Sequence, residues 1–181
     1  YGNYLDDVTI GLATCRKPSN MALANVSHNS ATISWSSSED ATYEVMLTTT
    51  NVRPADTVVG TPVEDTVYTF TDLNPTTTYY FWGRTVCSDN TTGWSSAYVF
   101  TTSCAPETMP WSENFDQNAL STCWNRYSGD FASGVMTTTT SGWSRSSSNH
   151  NAIDPDGYDV YFNIYSTNKY TLVTPSISIS S

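Results

Sequence analysis

Apolar and polar positions alternate along most of this chain. Between 30 and 36, Ala31, Ile33 and Trp35 alternate with Thr32, Ser34 and Ser36; between 41 and 48, Tyr43, Val45 and Leu47 alternate with Glu44 and Met46. A period of two places each set on one face of a strand, with one face buried and the other wet. The run VYTFTDL sets Tyr68 and Phe70 on one side ahead of a Leu-x-Pro turn. The next run turns Tyr79 and Phe81 inward and Trp82 outward, against Arg84 or a neighbouring domain. The pattern predicts strands at 22–26, 30–36, 41–48, 56–60, 66–70, 77–87 and 97–102, separated by turn-forming stretches at 28–30, 37–40, 51–56 and 87–93. Strands this short need a second sheet to cover them, so the fold class is all-β.

Beyond Cys104 the pattern loosens. Residues 104–130 are punctuated by proline, and 111–115 alternate weakly. Strand-like runs return at 141–148, 158–164 and 168–180. A length of 181 residues holds one large or two small domains. Seven basic against 17 acidic residues give a net charge of −10. Nucleic-acid binding needs clustered Lys and Arg, so that class is set aside. No run of 18 apolar residues is present to span a membrane as a helix. The opening YGNYLDDVTI has neither a Met nor a basic and apolar leader, and is read as the edge of something longer.

Catalytic chemistry finds little support. His28 and His150 both lie in Asn/Ser turns without converging partners. No serine sits in a Gly-x-Ser-x-Gly elbow, and the chain is read as non-enzymatic. DPDGYD offers Asp154, Asp156 and Asp159 around a glycine, either as part of a metal loop or as a solvated turn; the distal Glu of a calcium loop is missing. Trp82, Trp94, Trp111, Trp124 and Trp143 either stack on sugar faces or pack between modules.

The spaced features Trp35, Tyr43-Glu44-Val45, Leu73-x-Pro75-x-Thr77-x-Tyr79 and Gly93-Trp94-Ser95, with the closing strand AYVFTT, resemble a fibronectin type III module. The resemblance implies a type III β-sandwich over 12–104, with Trp35, Tyr43, Leu73 and Tyr79 in its core. It also implies a tyrosine corner, in which the Tyr79 hydroxyl turns back to the backbone near the Leu-x-Pro turn. In binding members the loop matching 87–93 often carries the contact, but here it has neither an Arg-Gly-Asp nor an aromatic anchor.

Residues 1–11, with YLDDVTI, resemble the last strand of a bacterial surface jelly roll. Residues 105–181 resemble the N-terminal half of another, of the cleaved-adhesin or choice-of-anchor type related to MAM domains. Glu113, Asn114, Phe115, Asp116, Cys123 and Trp124 match its opening, and Trp111 replaces the usual Phe. This resemblance implies a structural Ca²⁺ near Glu113 and Asp116. Asp6 and Asp7 are either ligands of a similar ion or a solvated strand end. Asp56-Thr57-Val58 and Asp65-Thr66-Val67 resemble the O-glycosylation sequon of exported proteins of Bacteroidetes, implying modification at Thr57 and Thr66. Asn25 and Asn90 open N-glycosylation sequons, relevant only in a eukaryotic host.

Four cysteines in an acidic, apparently exported chain favour disulfides. In the seven-strand order that the type III resemblance implies, Cys15 precedes the first strand and Cys87 ends the sixth at the same end, whereas Cys104 follows the seventh at the other. The expected pairs are Cys15 with Cys87 and Cys104 with Cys123. The whole reads as a non-catalytic spacer and adhesion or display segment of a secreted or cell-surface bacterial protein. Its expected partners are neighbouring domains of the same polypeptide and a host protein or glycan. The alternative is a carbohydrate-binding accessory region of a secreted peptidase or glycoside hydrolase.

Overall fold

A computed structural model describes residues 15–37, 41–113, 121–139, 143–146, 159–162 and 169–178. The chain divides into two compact units, Tyr1–Ser103 and Cys104–Ser181. Both are built of strands, and the one helical piece among the described residues is a single 3-10 turn at Phe131–Ser133.

The first unit is a two-sheet sandwich. One sheet has the order β1-β2-β5, from Ser19–Val26, Ala31–Ser36 and Val67–Phe70. The other has the order β4-β3-β6-β7, from Thr61–Val63, Thr42–Thr48, Thr78–Val86 and Tyr98–Thr101. All their pairings are antiparallel. The inward sets of β2, β3 and β6 meet between the sheets: Ile33 and Phe81 are fully buried, and Trp35, Tyr43, Val45, Tyr79 and Phe100 nearly so. Trp35 packs edge-on to Tyr43 with ring centroids 5.5 Å apart and lies 5.7 Å from Phe81. Such pairs add to the burial of the rings themselves. Leu73 is only half-buried and joins the core from its margin.

Two sequence expectations change here. The fourth strand lies at Thr61–Val63 rather than 56–60. Val58 and Val59 invite a strand, but Val58 N–H closes a turn onto the Ala55 carbonyl at 2.9 Å, and both side chains are exposed. β-Propensity describes fit to a covered sheet surface, and these valines have none. Trp82 sits opposite Met46 on the outer face, as its parity requires, yet is only 3% exposed. Its indole N–H donates to Thr48 Oγ1 at 2.9 Å, while Arg84 turns elsewhere.

In the second unit, β9 (Asn125–Asp130) lies between β10 (Val135–Thr138) and β13 (Tyr170–Val173), both antiparallel to it. β11 (Trp143–Ser146) pairs with β12 (Asp159–Phe162), and the two-residue strands β8 (Glu107–Thr108) and β14 (Ile177–Ser178) run parallel. The Lys169 ammonium lies 2.9 Å from Asp130 Oδ2, and Ala132 N–H donates to Oδ1 at 3.0 Å. The lysine hydrogen bond first, then the backbone one, hold the Asp130 pKa below the usual carboxylate value. A depressed folded pKa stabilises above the unfolded value and is lost as pH falls through the folded one. Carboxylate titration by NMR should therefore show Asp130 among the last to protonate, with Lys169→Ala raising its midpoint.

Candidate functional site

The outer face of the four-stranded sheet carries a cluster built around Arg84. Glu44 and Arg84 stand directly opposite on β3 and β6. Arg84 Nε and Nη2 donate to Glu44 Oε2 at 3.0 and 2.6 Å, and Nη1 donates to the Asp56 carbonyl at 2.7 Å. The guanidinium lies over the ring of Trp94, 4.7 Å from its centroid. Trp94 is wholly buried, and its Nε1–H donates to the Ala55 carbonyl at 3.2 Å.

Trp94 reaches this position because the hairpin after β6 is irregular. Val86 bridges Thr91, and Thr92 N–H bonds the Thr85 carbonyl; the register then slips by one residue before Ser95 N–H bonds Gly83, and by one more before Tyr98 meets Phe81. Such bulges re-aim side chains at sheet edges, and here they turn the indole over the outer face. The loop 51–60 folds onto it. Gly60 N–H donates to Glu44 Oε2 at 2.9 Å, Arg53 Nε to the Trp94 carbonyl at 3.3 Å, and Arg53 Nη2 to Asp56 Oδ1 at 2.8 Å. A Cβ at Gly60 would lie 2.7 Å from Trp94 Cη2 and 2.8 Å from the Val45 carbonyl, so this close approach needs glycine. The loop thus held presents Val52 and Val59, 69% and 74% exposed, with Val58 beside them.

The arrangement holds a shape; it does not activate a group. The Arg84 side chain is 7% exposed and that of Glu44 18%, and the cation is already bonded to a carboxylate, a carbonyl and an aromatic face. The sequence reading left this cluster unassembled. Its signal was one cation and one anion at outward positions on neighbouring strands, with Gly-Trp-Ser close behind.

The Tyr79 hydroxyl accepts from Asn74 N–H at 2.9 Å, closing a tyrosine corner at the Leu73-Asn74-Pro75 turn. Tyr79→Phe removes one hydrogen bond, leaves that N–H without its partner, and should lower unfolding free energy by about 1 kcal/mol in urea denaturation. Trp35 Nε1–H is buried with no partner among the described residues.

Cys15 is joined to Cys87 with Cα atoms 6.0 Å apart, and Cys104 to Cys123 with Cα atoms 5.8 Å apart. The lead-in is tied twice more: Thr85 Oγ1 donates to the Arg16 carbonyl at 2.7 Å, and Lys17 Nζ to the Trp94 carbonyl at 3.1 Å. Thr57 and Thr66 are both exposed, the first within the turn at 55–58, the second at the approach to β5. Glu113 is half-buried, while Asp6, Asp7, Asp116, Asp154 and Asp156 lie outside the described residues. Among the described residues no three or more His, Cys, Asp or Glu come together as a group that could hold a metal ion. Nor is any helix of the described residues long and apolar enough to cross a membrane.

The sequence pattern of the family described as fibronectin type III domain matches residues 16–101. Residues 16–101 are a fibronectin type III-like β-sandwich domain. The solved type III domain of human fibronectin type III domain containing protein 3 is similar, at 19% identity and a TM-score of 0.44, covering 54% of this chain and 94% of that one. The FN5 domain of Drosophila Lar is 17% identical, with a TM-score of 0.38, covering 50% and 99%. The family 28 exopolygalacturonase of Yersinia enterocolitica is 17% identical, with a TM-score of 0.38, covering 51% of this chain and 21% of its own. No curated protein sequence matches this chain. The type III-like domain has the fold of a non-catalytic module.

Proposed function

We propose that this segment is a spacer and display module of a secreted or cell-surface protein, holding its type III sandwich at fixed length and presenting the 51–60 loop rigidly. The observation that carries this reading is the Cys15–Cys87 bond, which closes 72 residues of the sandwich onto its own entry point. Two disulfides with no free cysteine among the described residues support an oxidising compartment. The match of Glu113, Cys123 and Trp124 to a jelly-roll opening supports reading 105–181 as part of such a domain, and 1–11 as the end of another. Amide hydrogen exchange on the intact chain tests the display reading. The Val58 and Gly60 amides, which donate to the Ala55 carbonyl and to Glu44 Oε2, should exchange far more slowly than those of a free loop; exchange at the free-loop rate would remove its basis.

A second reading has one observation in its favour. Trp111 and Trp124 are both half-buried, with ring centroids 6.0 Å apart and planes at 41°, a pair able to cradle a sugar ring. This supports a carbohydrate-binding accessory region. A glycan array on the intact chain, positive for wild type and negative for Trp124→Ala, would favour it over the spacer reading.

A further inference from the structure

A groove of about 360 Å³ opens along one side of the type III sandwich, between residues 17–21 and residues 95–98. Both walls are sheet edges, since β1 is the outer strand of one sheet and β7 of the other. The edges meet at one end, where Ser103 N–H donates to the Ser27 carbonyl at 3.0 Å. Further along, a tyrosine side chain spans them, the Leu23 N–H donating to the Tyr98 hydroxyl at 3.0 Å. Beyond Tyr98 lies the groove.

Its walls are irregular. β1 bulges between Ser19 and Ala22, and Asn20 within the bulge has a φ of 48°, in the left-handed region. The two register slips before Tyr98 do the same on the opposite wall. Because Thr102 N–H bonds the Thr77 carbonyl, the alternation of the ladder points the backbone groups of Val99 away from β6. An open edge of this kind pairs with an added strand.

Charge selects among extended ligands. Among the described residues Lys17 is the only charged one lining the groove, in a chain of net charge −10. Lys17 is an exposed residue and its ammonium gives one hydrogen bond to the Trp94 carbonyl, so donors remain. The rest of the lining is Pro18, Met21, Ala97 and Tyr98 with a rim of Ser and Asn. We propose that this groove binds an extended peptide segment of a partner protein, paired along the 97–99 edge with a carboxylate side chain on Lys17. The proposal stands apart from the spacer reading, and neither depends on the other.

The test is ¹⁵N–¹H NMR of the full chain titrated at low salt with the capped peptide Thr-Val-Glu-Val-Glu-Val-Thr, an alternating acidic sequence that the chain does not itself contain. Shifts should be confined to residues 17–21 and 95–99. Lys17→Met should weaken binding by up to about five-fold, the range of an exposed ion pair, while Lys17→Arg retains it. Val99→Pro, at an outward edge position where the ladder tolerates proline, should abolish binding with the remaining spectrum unchanged. If that variant misfolds, the two lysine variants decide the matter. Absence of shifts at millimolar peptide overturns the proposal, as do shifts indifferent to Lys17→Met. So does a response of these residues to trigalacturonate but not to the peptide, which would assign the groove to an acidic sugar.

Discussion

Replacing Arg84 with methionine is expected to destabilise the type III-like sandwich by about 3 kcal/mol, the lower end of the range for breaking a buried ion pair by removing one partner. The Glu44 carboxylate, whose side chain is 18% exposed, would lose both guanidinium bonds and keep only the Gly60 N–H. The Asp56 carbonyl would lose its donor and Trp94 the cation over its ring. Methionine preserves most of the side-chain volume, so the loss reads the charge and its bonds more than a cavity. The urea midpoint should fall with little change in slope, and amides of 53–60 should exchange faster than those of β2. Adding Glu44→Leu should recover much of the loss, because the stranded carboxylate is then gone. An Arg84→Met chain as stable as wild type would show that the cluster is ornamental.

The Cys15→Ser, Cys87→Ser double variant is the second large effect. Opening a closure of 72 residues should cost about 4 kcal/mol, chiefly by enlarging the unfolded ensemble, with native-state strain left aside. A marginal domain tolerates such a loss poorly. The folded form has other ties at the same place, Thr85 to the Arg16 carbonyl and Lys17 to the Trp94 carbonyl. Those keep the lead-in docked while the domain is folded, so the variant should look native by NMR yet melt at a lower temperature. Cys104→Ser with Cys123→Ser opens a closure of only 19 residues and should cost about 3 kcal/mol in the second unit, leaving the first unit's transition in place.

The sandwich was legible where contacts are local or periodic. The alternation of Ala31, Ile33 and Trp35 marks a strand with one buried face, and Leu73-x-Pro75 with Tyr79 marks a corner whose atoms lie within five residues of each other. What escaped was set by distant chain. Whether 56–60 or 61–63 pairs with β3 depends on Glu44 capturing the Gly60 N–H and on Trp94 filling the space beneath. The burial of Arg84 depends on a loop some 30 residues earlier and an indole 10 residues later folding onto one face. Alternation assigns a side chain to a face but cannot say what covers that face. The second unit shows the same limit: runs near 143–146, 159–162 and 170–173 read as strands, while the place of β9 between β10 and β13 is a matter of long-range order.

Pulling on the chain from its two termini tests directly whether the type III-like domain acts as a spacer whose extension is limited by its own covalent closure. With Cys15 bonded to Cys87, mechanical unfolding cannot release the 72 residues of separation between them. At about 3.6 Å per residue, the step assigned to this domain should lengthen by roughly 260 Å in the Cys15→Ser, Cys87→Ser variant. Steps of equal length in the two proteins would contradict the account, because the sandwich would then extend without meeting the bond.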